Sequence, residues 1–202
     1  MILSLNEIET TALKAARGAG FAWGLAEEIG VAARVLASCG LDVAPLLAGL
    51  LEAHAGGADA SACPILIGTR LADQGGLDGE TSTWPVVRWP VWIAPFLARV
   101  AMTTSTPLEL SWPGARLICN AAQDVLSLAV AGEILAANGT PVTISQAIQS
   151  TTNLVAHSQS VGERRVDGAA WQRLARLEAR TTVPQSRHSR EAGAGAGLSD
   201  ND

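Results

Sequence analysis

Ser186, Arg187, His188, Ser189 and Arg190 form the densest run of polar side chains in the chain. Two guanidinium forks, an imidazole and two hydroxyls are groups that hold a carboxylate or a phosphate. Arginine offers paired N–H donors in one plane, and serine completes the shell. Gly193, Gly195 and Gly197 follow in a Gly-Ala alternation. Backbone amides of such a run can wrap an anion. The spacing is not a dinucleotide fingerprint, which needs its glycines between a strand and a helix. Asp200 and Asp202 come next; they read as a solvated acidic end, and no metal site is expected there.

A second set of candidates lies mid-chain. Trp84, Trp89, Trp92 and Trp112 crowd one region, with Pro85, Pro90 and Pro95 among them, while tyrosine is absent. Trp89 and Trp92 are the aromatic candidates for a ligand pocket, because an indole face accepts a planar or cationic group. The competing role is packing, since tryptophan carries a large apolar surface. Cys39, Cys63 and Cys119 are too far apart for a disulfide framework or a zinc ribbon. Buried free thiols are their ordinary role, and Cys63, just before Pro64, is the least poorly placed as a nucleophile. His54, His157 and His188 do not share a metal-ligand spacing. No Ser-His-Asp set or carboxylate pair can be assembled from sequence alone, so catalytic residues stay unassigned. With no P-loop and no Rossmann fingerprint, no cofactor is identified.

Composition narrows the classes. The 202 residues suffice for one good-sized core. They are 48% hydrophobic and 16% charged, well away from the make-up of a disordered chain. Net charge is −5, Lys14 is the only lysine, and the basic residues gather between Arg164 and Arg190. That balance excludes an extended nucleic-acid footprint but leaves room for a small polar or anionic molecule. No apolar run approaches the length of a membrane span, and the first residues lack a basic, apolar leader. A cytoplasmic protein is expected.

These residues need elements to position them. Ser4 and Glu7 make a capping box ahead of a helix carrying Ile8, Ala12, Leu13 and Ala16, with Gly18 and Gly20 at its end. A second helix is predicted over 21–38, stopped by Gly40, and a third from about Asp42 to Gly56-Gly57. Beyond Gly57 the period changes. Pro64 to Leu71 reads as a strand, and Trp84 to Phe96 as an edge strand or extended loop lining a groove. Pro107 to Trp112 and Ala115 to Cys119 read as a hairpin across Pro113-Gly114. Further strands are expected at Val125–Val130 and Val142–Ile144. A last helix opens on Asp167, with Trp171, Leu174 and Leu177 on one face. The fold class is therefore α+β: N-terminal helices packed with a mostly antiparallel sheet, one later helix and an extended C-terminal tail. Residues 1–182 read as one domain, with a helical part at about 1–57, a sheet part at about 62–160 and the last helix at about 167–181; residues 183–202 are the tail.

One resemblance bears on the whole. Ser4-Leu-Asn-Glu-Ile-Glu, Lys14-Ala-Ala-Arg-Gly-Ala-Gly and Trp23-Gly-Leu-Ala-Glu-Glu, with Trp171 and the run from Thr182 through Ser-Arg-x-x-Gly-Ala-Gly-Ala-Gly to Asp202, resemble a bacterial family catalogued as a domain of unknown function. The resemblance spans nearly the whole chain and is most specific at its two ends. It implies a soluble bacterial protein with a characteristic tail, and it marks Arg17, Trp23, Glu27, Glu28, Arg190 and Gly193–Asp202. It implies no reaction, cofactor or catalytic residue. Two expectations follow. One is a small-metabolite enzyme or binder whose pocket is closed by the tail, with Ser186–Arg190, Gly193, Gly195, Gly197, Trp89 and Trp92 at the ligand. The other is a non-catalytic subunit or assembly partner, its alanine-rich helices covered by a protein partner or by self-association.

Overall fold

The first helix starts where the capping box predicts. In the computed structural model, which describes residues 1–122, 125–132, 138–147, 155–158 and 162–181, the Glu7 carboxylate accepts from the Ser4 amide at 2.8 Å and the Ser4 hydroxyl accepts from the Glu7 amide at 3.2 Å. After a short strand β1 (Ile2–Leu3), helix α1 runs Leu5–Gly18, α2 Trp23–Ser38 and α3 Val43–Ala55. The apolar faces predicted from helical spacing are the buried ones: Ile8, Ala12 and Ala16 on α1, Ile29 and Leu36 on α2, Leu47 and Leu51 on α3. Each large aliphatic side chain buried in this way stabilises the fold by about 1.5–3 kcal/mol. α1 and α2 approach closely at Gly30, where a Cβ would come within 3.0 Å of the Glu9 carbonyl oxygen and 3.3 Å of Leu13.

Two predicted strands turn out otherwise. Residues read as a strand from Pro64 onward form helix α4 (Pro64–Gln74), after a single 3-10 turn at Ala60–Ala62. Pro64 occupies the first helical position, where a missing amide costs nothing. Gly75, at φ 74°, ends the helix in the left-handed conformation. The Ile-Leu-Ile run suggests a strand, but Ile65, Gly68 and Leu71 recur at helical spacing and face the core. Likewise the extended reading of Trp84 to Phe96 holds only as far as Val87. β2 (Thr81–Val87) is an edge strand as expected, but Pro90–Ile93 is a 3-10 turn and Ala94–Thr104 is helix α5. Pro90 and Pro95, which look like strand breakers, sit in first turns of helical segments. Two helices thus fall inside the region expected to be sheet.

The rest of the sheet follows the sequence. β3 (Leu108–Trp112) and β4 (Ala115–Ala122) form the hairpin, with Gly114 at φ 88° in its turn. With β5 (Val125–Gly132), β6 (Thr140–Gln146) and β7 (Val155–Ser158) they make an antiparallel sheet of order β2-β6-β3-β4-β5-β7. Register puts Leu110, Leu117 and Ile144 side by side on one buried face, and α5 packs against β3 and β4. A small second sheet pairs β1 with β8 (Arg164–Arg165) and leads into α6 (Gly168–Glu178). The Asp167 carboxylate caps α6 by accepting from the Ala170 amide at 2.7 Å. Asp42 serves two helix starts. Its carboxylate accepts from the Ala44 amide of α3 at 3.2 Å and from the Asp167 amide at 2.9 Å. α6 then lies against α1 and α3, with Leu174 and Leu177 buried. The architecture is α+β.

Candidate ligand-binding cavity

The edge strand is irregular where it matters. β2 pairs Trp84 with Val142 and Val87 with Thr140, so two residues of β2, Pro85 and Val86, stand opposite the single residue Pro141. Neither proline can donate to the ladder, and the extra residue bends the strand. Past β2 the backbone turns sharply at Trp89, which has φ 47° and ψ 55°. A bulky side chain in this left-handed region costs on the order of 1–3 kcal/mol and persists only where its surroundings hold it. Two contacts hold Trp89. Its carbonyl accepts from the Trp92 amide at 3.1 Å, and its ring lies on α3 at Gly49. A Cβ at Gly49 would come within 2.7 Å of the Trp89 ring, so the glycine inside the helix gives the indole its seat.

Between this corner and the end of α3 lies a cavity of about 760 Å³. Leu50, Ala53 and His54 of α3 form one wall, and Trp84, Pro85 and Trp89 form the other. The 3-10 turn and the start of α4 close it, with Ser61, Cys63 and Pro64 at that end. The Arg88 amide donates to the Ala62 carbonyl at 3.5 Å, tying the end of β2 to this turn. The size suits a small-molecule site, which typically spans about 300–1,000 Å³.

The polar groups at this cavity differ in how far they are already engaged. Asp59 is committed: its carboxylate accepts from the Ser61 hydroxyl at 2.7 Å and the Ser61 amide at 2.9 Å, and these bonds hold its carboxyl below the usual range. The His54 ring stacks on Phe21, with centroids 3.7 Å apart, and burial pushes its pKa below the ordinary 6.5. It therefore presents a neutral imidazole at physiological pH. Burial pushes the Cys63 thiol up, against the pull of the Leu66 and Ile65 amides. Among the described residues no hydrogen bond joins Cys63 to His54. Arg88 is exposed, lines the cavity and makes no ion pair among the described residues.

The residues singled out in the sequence separate into three groups. Trp89 lines the cavity, and Trp84 joins it. Trp92 is fully buried in the core and Trp112 nearly so; neither indole N–H has a partner among the described residues. Ser186, Arg187, His188, Ser189, Arg190, Gly193, Gly195 and Gly197 lie outside the described residues. His54, Ser61 and Arg88 were not singled out as cavity residues by sequence reasoning. A usable signal was nonetheless present: a glycine inside an otherwise strong helix at Gly49, and Pro85 next to a tryptophan in an edge strand.

The marked positions near the N-terminus have structural roles. Arg17 donates to the Phe21 carbonyl at 2.5 Å, and its guanidinium sits 5.6 Å from the Trp23 ring centre. The Trp23 indole donates to Glu27 at 2.7 Å, and Glu28 pairs with Arg99 of α5 at 2.8 Å. Arg17, Trp23 and Glu27 brace the α1–α2 corner at Phe21, whereas the Glu28–Arg99 pair ties α2 to α5. Residues 3–73 match the family model described as "Protein of unknown function (DUF3726)". No curated protein and no solved structure matches the chain. The matched segment contains Arg17, Trp23, Glu27 and Glu28, and it supplies one wall and the closed end of the cavity. Trp84, Pro85, Arg88 and Trp89 lie beyond it.

Proposed function

We propose that the chain binds a small molecule with a flat apolar part and an anionic or hydrogen-bond-accepting group in the cavity between α3, the start of α4 and the bulged end of β2. The observation that carries this reading is the strained backbone at Trp89. Strain of this kind sits where a fold aims a side chain for a task, and here it aims an indole along the cavity wall. Trp84 and Trp89 offer faces for a planar group, and the neutral His54 offers a ring nitrogen. Arg88 supplies a guanidinium that no described residue engages. Binding is favoured over catalysis because the thiol and the imidazole are both held neutral and are not joined. The Ser186–Arg190 segment with Gly193, Gly195 and Gly197 is the proposed second contributor, adding anion-binding groups to the same ligand.

The test uses anilinonaphthalene sulfonate, a planar aromatic anion whose fluorescence rises in apolar surroundings. Wild-type protein is expected to bind it saturably at one site. Arg88→Ala is expected to weaken binding about tenfold, the size of one charge-assisted hydrogen bond. Trp89→Ala is expected to weaken it further, while circular dichroism establishes that both variants are folded. Equal affinity in the wild type and both variants overturns the reading, as does the absence of saturable binding.

A further inference from the structure

A neighbouring cavity lies on the far side of Trp84. A second cavity of about 430 Å³ shares Trp84 and Ser61 with the first. Its apolar lining is Leu66, Ile67 and Leu71 of α4, and its polar lining is of a different kind from the first. Arg70 and Gln74 come from α4, Asp78 from the loop after it, and Ser82 and Thr83 from β2.

Two exposed side chains of opposite charge, Arg70 and Asp78, therefore line one open groove without an ion pair between them. Five other cations have carboxylate partners: Arg34 pairs with Glu9, Arg99 with Glu28, Arg116 with Glu109, Arg173 with Glu52, and Lys14 with Glu178. Arg70 pairs neither with Asp78 nor with Asp73, one turn along its own helix, nor with any other described residue. Asp78 likewise has no partner among the described residues. Arg17, Arg88, Arg165, Arg176 and Arg180 also make no ion pair among the described residues, and of these Arg88 lines the first cavity. A ligand carrying a carboxylate and an ammonium close together would pair with both Arg70 and Asp78 in place of the water that now solvates these exposed groups. Guanidinium takes a carboxylate through two parallel N–H donors, and a carboxylate takes an ammonium. Ser82, Thr83 and Gln74 can fill the remaining hydrogen bonds.

We propose that the second cavity holds the head group of an α-amino acid, whose apolar or aromatic substituent passes Ser61 and Trp84 into the first cavity. This rests on the small-molecule reading above and names the class of ligand. Trp84 is then a divider between head and substituent, and the bulge at Pro85-Val86 sets its position.

Three fluorescent probes separate the two claims. Nε-dansyl-lysine carries the full amino acid head, dansylcadaverine lacks its carboxylate, and dansylamide lacks the head altogether. The expected order of affinity is dansyl-lysine, then dansylcadaverine, then dansylamide, with about tenfold between first and last. Arg70→Gln should remove the advantage of dansyl-lysine over dansylcadaverine. Asp78→Asn should remove the advantage of dansylcadaverine over dansylamide. Neither should change dansylamide affinity, which also shows that the variants are folded. If dansylamide and dansyl-lysine bind equally, or if the two substitutions leave the ratios intact, the amino acid head is overturned while the first-cavity reading stands. If none of the three probes binds, both fall.

Discussion

At Gly49 two residue-scale effects oppose each other. Replacing a helix-interior glycine by alanine ordinarily stabilises by about 1 kcal/mol, since alanine restricts the unfolded chain. Here the new Cβ would come within 2.7 Å of a ring pinned by its own backbone. Overpacking of that kind costs about 1–3 kcal/mol, so the clash outweighs the propensity. Gly49→Ala should lower the urea midpoint and weaken dye binding; a raised midpoint would show that the ring moves freely. His54 makes a prediction of a different sign. Burial lowers its folded pKa below 6.5, so the unfolded chain binds the proton more readily. Stability should therefore be unaffected by this group above about pH 6.5 and fall as pH drops through 6.5 toward the lowered value. His54→Phe keeps an aromatic ring on Phe21 and should remove that slope; an unchanged pH profile would rule out His54 as its source.

At the scale of elements, most helix boundaries are set by single capping groups. Asp167→Ala removes the acceptor for the Ala170 amide and should cost about 1 kcal/mol by chemical denaturation. A loss indistinguishable from zero would mean that packing of Leu174 and Leu177 alone holds α6. The Glu52–Arg173 pair joins α3 to α6, with the Arg173 Nε donating to Glu52 at 2.8 Å. Arg173 holds the Glu52 carboxyl below its ordinary 4.5. The stability this adds is present above about pH 4.5 and is lost as pH falls through the depressed value. Both side chains are substantially exposed, so solvent screening keeps the effect small, and Glu52→Gln should cost about 0–1 kcal/mol near neutrality. A larger loss, measured by thermal melting at low and high salt, would mark the pair as a clasp between the helices.

For the whole molecule, the decisive question is what the described body and the C-terminal residues do together. The described core ends at Leu177. If residues 183–202 serve the site rather than the core, a chain lacking them should melt within about 2 °C of the full chain, a shift worth less than about 1 kcal/mol at this size. If the tail contributes to the proposed site, the same truncation should weaken binding of the aromatic sulfonate. Unchanged affinity would remove Ser186–Arg190 from the site and leave the cavity between α3 and β2 to stand alone.

Local signals determined a large share of the fold. Ser4 with Glu7, Asp42, and Asp167 marked helix starts because a short polar side chain can satisfy a free amide wherever the rest of the chain goes. Pro113-Gly114 marked its hairpin because the backbone angles of that pair are restricted in any context. The α+β class followed from these, together with the apolar spacing of the first three helices. Pro64-Ile-Leu-Ile and Pro90 to Phe96 were misread, since a short apolar run behind a proline fits a buried strand and a buried helix equally. Only packing against Phe96, which comes so close that Gly68 has no room for a Cβ, decides for the helix. The cavity was legible in part. Tryptophans among prolines pointed to a stretch of chain that lines the cavity in part, but burial decided that Trp92 belongs to the core and Trp89 to the wall. Sequence spacing carries no information on how His54, Cys63, Arg88 and Trp84 approach one another. Their meeting depends on a bulge in an edge strand and a glycine seat on a distant helix, and those contacts exist only after the chain has folded.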